Sequence, residues 1–196
     1  MAEDTVAPPF RLVIIGGSAG SLEALLKIFP WIDGSLNMAL VIVVHRKSSS
    51  DSQLSSILHD KTSWPVKEAA EKEMIQLRHV YIAPGDYHLL FENDHSFSLD
   101  DSEKVKFSRP SIDVSFESAA EVFGKHLTGI LLSGANDDGV EGLRQIKHHG
   151  GTCIVQEPAT AEMPFMPQQA ILHGPVDSIV LPDTEIGKFV AAMATN

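Results

Sequence analysis

The sequence predicts an α/β fold, a doubly wound and mostly parallel sheet with a small antiparallel β-hairpin insertion. Short apolar runs recur at residues 12–15 and 38–44 and, interrupted only by Thr128 and Gly129, at 127–132, and strands that read this way are buried on both faces, as parallel strands are. Glycine-bearing loops follow the first and third of these runs, and stretches with helical periodicity follow in turn. A strand, loop and helix repeated in this order build a sheet covered on both sides.

Leu12, Val13, Ile14 and Ile15 form the first strand and run into Gly16-Gly17-Ser18-Ala19-Gly20. Leu22, Leu25, Leu26 and Phe29 then share one helical face before Pro30 ends the pattern. Residues 38–44 make the second strand, with His45 at its carboxyl end, and residues 53–58 supply a short helix after a Ser-rich loop. From 66 to 99 the texture changes: β-prone pieces at 80–83 and 89–91 are broken by Pro84-Gly85-Asp86 and Glu92-Asn93-Asp94. This stretch reads as a β-rich insertion with an antiparallel hairpin over 87–99. Ser111 is placed as the N-cap of a helix carrying Ile112, Phe116, Ala119 and Phe123 on one face. A strand at 127–132, the loop 133–139, a helix with Val140, Leu143 and Ile146, and a strand around Cys153 complete a second unit of the same kind. A helix near 167–172, a strand at 178–181 and a closing helix with Ile186, Phe189, Val190 and Met193 finish the alternation. The organisation expected is a short tail over 1–10 and one domain over 11–196.

Composition narrows the function classes. At 43% hydrophobic and 21% charged, the chain falls in the ordinary globular range. A formal charge of −11 argues against a surface built to neutralise nucleic-acid phosphates, and Arg46 and Lys47 read as scattered surface charge. The single cysteine, Cys153, lies in an apolar run and reads as a core thiol, so no disulfide framework is expected. With neither a signal-peptide pattern nor an apolar run of spanning length, a cytoplasmic location is expected. His148-His149 are sequence neighbours that point in different directions on a helix, without ligand-spaced partners, and no metal site or cofactor is expected.

Ligands of open parallel sheets bind at the carboxyl ends of the strands. Ser18, His45 and Asp138 each follow a different buried run, and together they have the residue types of a nucleophile, a general base and an orienting carboxylate. Each has a plainer reading. The glycine turn could cradle phosphate with Ser18 capping the helix, His45 could be a packing residue, and Asp138 could be the N-cap of the helix that starts after it, with Asp137 competing for either role.

Five ordered blocks resemble the catalytic domain of the bacterial chemoreceptor glutamate methylesterases, the CheB type. They are Ile14-Ile15-Gly16-Gly17-Ser18-Ala19-Gly20, then His45, Val80-Tyr81-Ile82-Ala83-Pro84-Gly85-Asp86, Ser108-Arg109-Pro110-Ser111-Ile112-Asp113-Val114 and Leu131-Leu132-Ser133-Gly134-Ala135-Asn136-Asp137-Asp138-Gly139. The resemblance assigns the triad carboxylate to Asp138 and an oxyanion hole to the backbone N–H groups of Ala19 and Ala135. It implies substrate-cleft roles for Arg109 and Met166, and a reaction: hydrolysis of glutamate γ-methyl esters on a chemoreceptor's cytoplasmic helices, with deamidation of particular glutamines. The implied partner is a methylated chemoreceptor; only ten residues precede Arg11, too few for the receiver domain common in the family, so the expectation is regulation by a separate response regulator, constitutive activity, or a sequence that is a piece of a longer chain. Ala19-Gly20-Ser21 stands where the family has Thr-Gly-Gly, and Arg46-Lys47 where it has Met-Pro, departures that bear on receptor preference. The alternative is a non-catalytic receptor-docking or signalling module that keeps the fold, motivated by Arg46, Lys47 and the missing receiver domain. A phosphate binder ranks last, because neither a P-loop lysine nor a full dinucleotide fingerprint follows the turn.

Overall fold

The computed structural model describes residues 10–32, 36–46, 51–182 and 185–193. Nine strands are found among them: β1 (Arg11–Gly17), β2 (Met38–Val44), β3 (Val66–Glu68), β4 (Val80–Ile82), β5 (His88–Phe91), β6 (Phe97–Asp100), β7 (Leu127–Leu131), β8 (Thr152–Gln156) and β9 (Ser178–Val180). The helices are α1 (Ser21–Ile28), α2 (Asp51–His59), α3 (Ile112–Phe123), α4 (Val140–His148), α5 (Phe165–His173) and α6 (Glu185–Met193). Seven strands form one parallel sheet in the order β3-β4-β2-β1-β7-β8-β9. The chain moves outward from β1 to one edge and then returns to β7 on the other side of β1, so the strand order reverses there. That reversal is where this architecture opens a crevice.

The central strands β1, β2 and β7 carry only Arg11 and Thr128 as polar side chains because both of their faces are covered. Leu12 and Ile14 of β1 join a core with Ile112, Phe116, Leu143 and Ile146 from α3 and α4. Val13 and Ile15 point the other way, into a core with Leu25 and Ile28 of α1 and Ile186 and Val190 of α6. Each such fully buried side chain stabilises the fold by roughly 1.5–3 kcal/mol relative to exposure. Helix α3 lies directly on the end of β1. A Cβ on Gly16 would stand 2.4 Å from Ile112 Cγ2 and 3.0 Å from Phe116 Cζ, so only glycine permits this approach.

Two adjustments to the sequence reading follow. The stretch 66–99 is not one insertion: β3 and β4 belong to the parallel sheet, and only β5 and β6 form a separate antiparallel pair, Leu89 opposite Leu99 and Phe91 opposite Phe97. Three-residue strands are too short to display a period, so the β-prone piece at 80–83 does not by itself reveal that it pairs with β2 and β3 in the parallel sheet. Several element ends also move by one or two residues, as for α2, α5, β7 and β9. The N-cap at Ser111 is found as expected, with its side chain accepting from Val114 N–H.

Candidate active site

The site is assembled by strand register. β1 and β2 pair in parallel with Gly17 opposite Val44, so Ser18 and His45 are the next residues along adjacent strands, and His45 N–H donates to Gly17 O at 3.2 Å. On the other flank Ser18 N–H donates to Ser133 O at 2.8 Å, just past β7. Ser18, His45 and Ser133 thus stand side by side at the carboxyl edge. Gly20, with φ 78°, turns the chain into α1. There Ser18 acts through its carbonyl, which accepts from Ser21 N–H and Ser21 Oγ–H, and its side chain does not cap the helix. Ser18 is half-buried, and among the described residues its hydroxyl makes no hydrogen bond.

His45 Nε2–H donates to Asp138 Oδ2 at 2.7 Å. Asp138 is fully buried and also accepts from the backbone N–H of Ile112 (2.8 Å) and Asp113 (2.9 Å) and from Ser111 Oγ–H (3.0 Å). Burial pushes its acidity down, but the hydrogen bond from His45 and those from the Asp113 and Ile112 amides outweigh it and hold the carboxyl below the usual carboxylate range. The Asp138 carboxylate therefore sits on the free amides of the α3 amino terminus, where negative charge is favoured. The arrangement is reciprocal: Asp113, in the first turn of α3, accepts from Gly139 N–H (2.7 Å) and Gly142 N–H (2.8 Å) at the start of α4. Burial and the Asp138 charge raise the Asp113 carboxyl above its ordinary value, against the pull of Gly142 N–H and Lys106. Lys106 Nζ reaches Asp113 Oδ2 at 2.9 Å, Asp137 O at 3.0 Å and Asp137 Oδ1 at 3.4 Å.

Asp137 and Asp138 are thus separated by geometry, the first exposed beside Lys106 and the second buried on His45. Asp138 is not the cap of its own helix, whose N-cap is Gly139 with φ 102°; it caps the neighbouring one. The backbone N–H groups of Ala19 and Ala135 make no hydrogen bond among the described residues. The loops that carry them are tied together by Ser133, whose hydroxyl donates to Ala19 O (2.7 Å) and accepts from Met163 N–H (2.9 Å).

Arg109 lines a cavity of about 410 Å³ together with His45, Arg46, Asp86, Lys104, Phe107 and Ser108. Met166 differs from the expectation. It is fully buried, packed beneath Gly134, so it supports the loop from behind and does not line the cleft. Arg46 is also no scattered surface charge: its side chain is buried, paired with Glu68 and donating to Ala83 O, which ties the ends of β2, β3 and β4 together. Lys47 lies outside the described residues. Cys153 is a core thiol that burial pushes up to about 12. Among the described residues no group of three or more His, Cys, Asp or Glu is placed to hold a metal ion, and no helix is long and apolar enough to cross a membrane.

Three contributors gave no signal in the sequence read residue by residue. The α3 amides and Asp113 approach Asp138 across 25 or more residues of chain, and no local pattern announces that contact. His88 is likewise buried, accepting from Ser111 N–H through Nδ1 and donating to Glu103 O through Nε2, which steadies the same turn. Within 108–114 local pattern identifies the helix start at Ser111, and only the family resemblance connects the block to the site.

Residues 13–190 match the family model for CheB methylesterase. The chain belongs to the CheB methylesterase family. A Leptospira interrogans protein, provisionally named a protein-glutamate methylesterase/protein-glutamine glutaminase, is 44% identical over 171 residues, covering 87% of this chain and 89% of that one. Proteins of the same name from Pyrococcus horikoshii and Thermotoga maritima are each 32% identical over 91% and 87% of this chain, which spans 50% of their length. The crystal structure of the Thermotoga maritima CheB methylesterase catalytic domain superposes with a TM-score of 0.89 at 30% identity, covering 95% of this chain and all of that one. The doubly wound sheet with its added hairpin is therefore the CheB catalytic-domain fold.

Proposed function

We propose that this chain is a serine hydrolase that removes methyl groups from glutamate γ-methyl esters on the cytoplasmic helices of a chemoreceptor, and that it deamidates glutamine at the same site. The observation that carries this reading is the hydrogen bond of His45 to the buried Asp138 at the strand end next to that of Ser18, in a chain of the CheB methylesterase family.

Because Nε2 of His45 is committed to Asp138, Nδ1 is the nitrogen left to act as base. Ser18 Oγ attacks the ester carbonyl carbon while His45 Nδ1 takes its proton, and Asp138 stabilises the imidazolium that forms. The oxyanion accepts from the N–H groups of Ala19 and Ala135, fixed donors where charge develops. As the tetrahedral intermediate collapses, His45 returns the proton to the methoxy oxygen and methanol leaves. Water, deprotonated by His45, then attacks the Ser18 acyl ester and regenerates the hydroxyl with release of the free glutamate. With a glutamine substrate ammonia leaves in place of methanol. Arg109, on the cavity wall, is the residue placed to meet the substrate backbone or a neighbouring carboxylate.

The non-catalytic alternative loses part of its motivation, since Arg46 is engaged with Glu68 and Ala83. The deciding experiment measures methanol release from methylated receptor by wild type and Ser18→Ala. Release by wild type and its collapse in the variant are expected; equal release by both would overturn the assignment.

A further inference from the structure

We infer that Phe107 is a docking residue for a helical protein substrate, seating an apolar side chain one helical turn from the esterified glutamate; the inference rests on the methylesterase reading above. Phe107 is 98% exposed, far more than an aromatic ring that merely lacks room in the core. It lies on the rim of the cavity that His45 and Arg109 share. Single exposed apolar residues are common, but this one is displayed at a conformational cost. Val105 and Ser108 exchange backbone hydrogen bonds, and the residues between them, Lys106 and Phe107, have φ of 47° and 65°. Turns with positive φ at both central positions favour Asn-Gly and disfavour a lysine followed by a phenylalanine. Such strain persists only where the surroundings over-determine it, and it concentrates at ligand-binding segments.

Lys106 supplies the over-determination. Its ammonium is bound to Asp113 and Asp137, at the start of α3 and in the loop that carries Asp138. The turn is thereby fixed to the two segments that hold the orienting carboxylate, and the ring's position is set relative to His45. The occupant follows from chemistry. On a helix, residues three or four apart stand about 5–6 Å from one another on one face, so an ester entering the cavity brings such a neighbour with it. A fully buried phenylalanine removes roughly 150–250 Å² from water, and packing one face of the ring on an apolar neighbour removes part of that. Lys104 and Arg109 line the same cavity with Asp86 as the one acidic wall residue, on a chain of net charge −11. Arg109 is held by the carbonyls of Asp101 and Ser102, with the Asp100 carboxylate near enough to feel its charge. A helix with carboxylates around its ester and an apolar residue one turn away fits this lining; a small soluble ester engages only the His45 end.

The test compares kcat/KM for a methylated helical receptor fragment and for p-nitrophenyl acetate, in wild type, Phe107→Ala and Phe107→Trp. The expected result is a fall of about tenfold in the protein-to-small-ester ratio for Phe107→Ala, about 1.4 kcal/mol, carried by KM, with most of it restored by Phe107→Trp. An unchanged ratio, or a parallel fall on both substrates, overturns the docking role. A wild-type chain that cleaves the small ester but leaves the methylated helix intact overturns the substrate reading itself, and the inference with it.

Discussion

Ser18 and Asp138 both adjoin His45 at the carboxyl edge of the sheet, yet they are held in opposite ways. Asp138 is fully buried and accepts four hydrogen bonds, from His45, Ser111 and the amides of Ile112 and Asp113. Ser18 is half-buried, positioned by its backbone alone, with its hydroxyl unengaged among the described residues. On the proposed mechanism the difference separates two tasks. An orienting carboxylate must not move, and a helix amino terminus supplies fixed donors that keep it ionised while out of water. A nucleophile must meet a substrate, so its hydroxyl is left free while its N–H is bound to Ser133 O and its carbonyl to Ser21.

Replacing Ser18 with Ala is the sharpest test of this contrast. Methanol release should fall roughly 10⁴- to 10⁶-fold. Chemical denaturation should show stability within about 0.5 kcal/mol of wild type, because no packed or bonded group is lost. A large stability loss would break the comparison.

Asp138→Asn should lose on both counts. The expected fall in kcat is on the order of 10⁴-fold, from a mis-oriented imidazole. Stability should drop by about 3 kcal/mol, as amides matched to a carboxylate lose part of their pairing. Equal stability of the Ser18 and Asp138 variants would remove the distinction drawn here.

The same carboxylate sets a pH signature. Its folded-state pKa is held below the ordinary carboxylate value, so its contribution is complete above about pH 4 and is lost as pH falls through the lower folded value. The stability gap between wild type and Asp138→Asn should therefore be full at neutral pH and close in acid. Asp113 works in the opposite sense. Its carboxyl is raised, so the favourable term from its bound proton is present in acid and lost as pH rises through the folded value. A gap that widened on acidification would contradict the assignment.

Gly20→Ala probes the nucleophile side more gently. With φ at 78° and a new Cβ placed 2.5 Å from Glu162 Cβ, the turn should lose about 1–2 kcal/mol. Displacement of Ala19 N–H should lower kcat by about tenfold, read on a small ester. Unaltered turnover would mean that the turn's position is not critical to the oxyanion.

The parallel sheet was readable because its central strands are apolar on both faces and long enough to stand out, as in Met38–Val44. β3 and β4 were misplaced because three residues carry no period. At the site, Ser18 and His45 could be found from strand ends alone, since register in a parallel sheet follows from burial and brings those ends together. Met166 could not be placed that way, because a methionine in a loop motif reads alike whether it faces a cleft or backs it.

What the sequence by itself determined is the layering: alternating apolar strands and amphipathic helices leave few ways to bury both faces of a sheet, and the residues that follow its strands are gathered at one edge. What only the tertiary structure decided is which of two adjacent aspartates serves His45 and what holds it there. That choice depends on two helix amino termini, α3 and α4, each capped by a carboxylate from the other's segment. Hydrogen bonds between segments so far apart in the chain follow from packing, and no local pattern of residues encodes them.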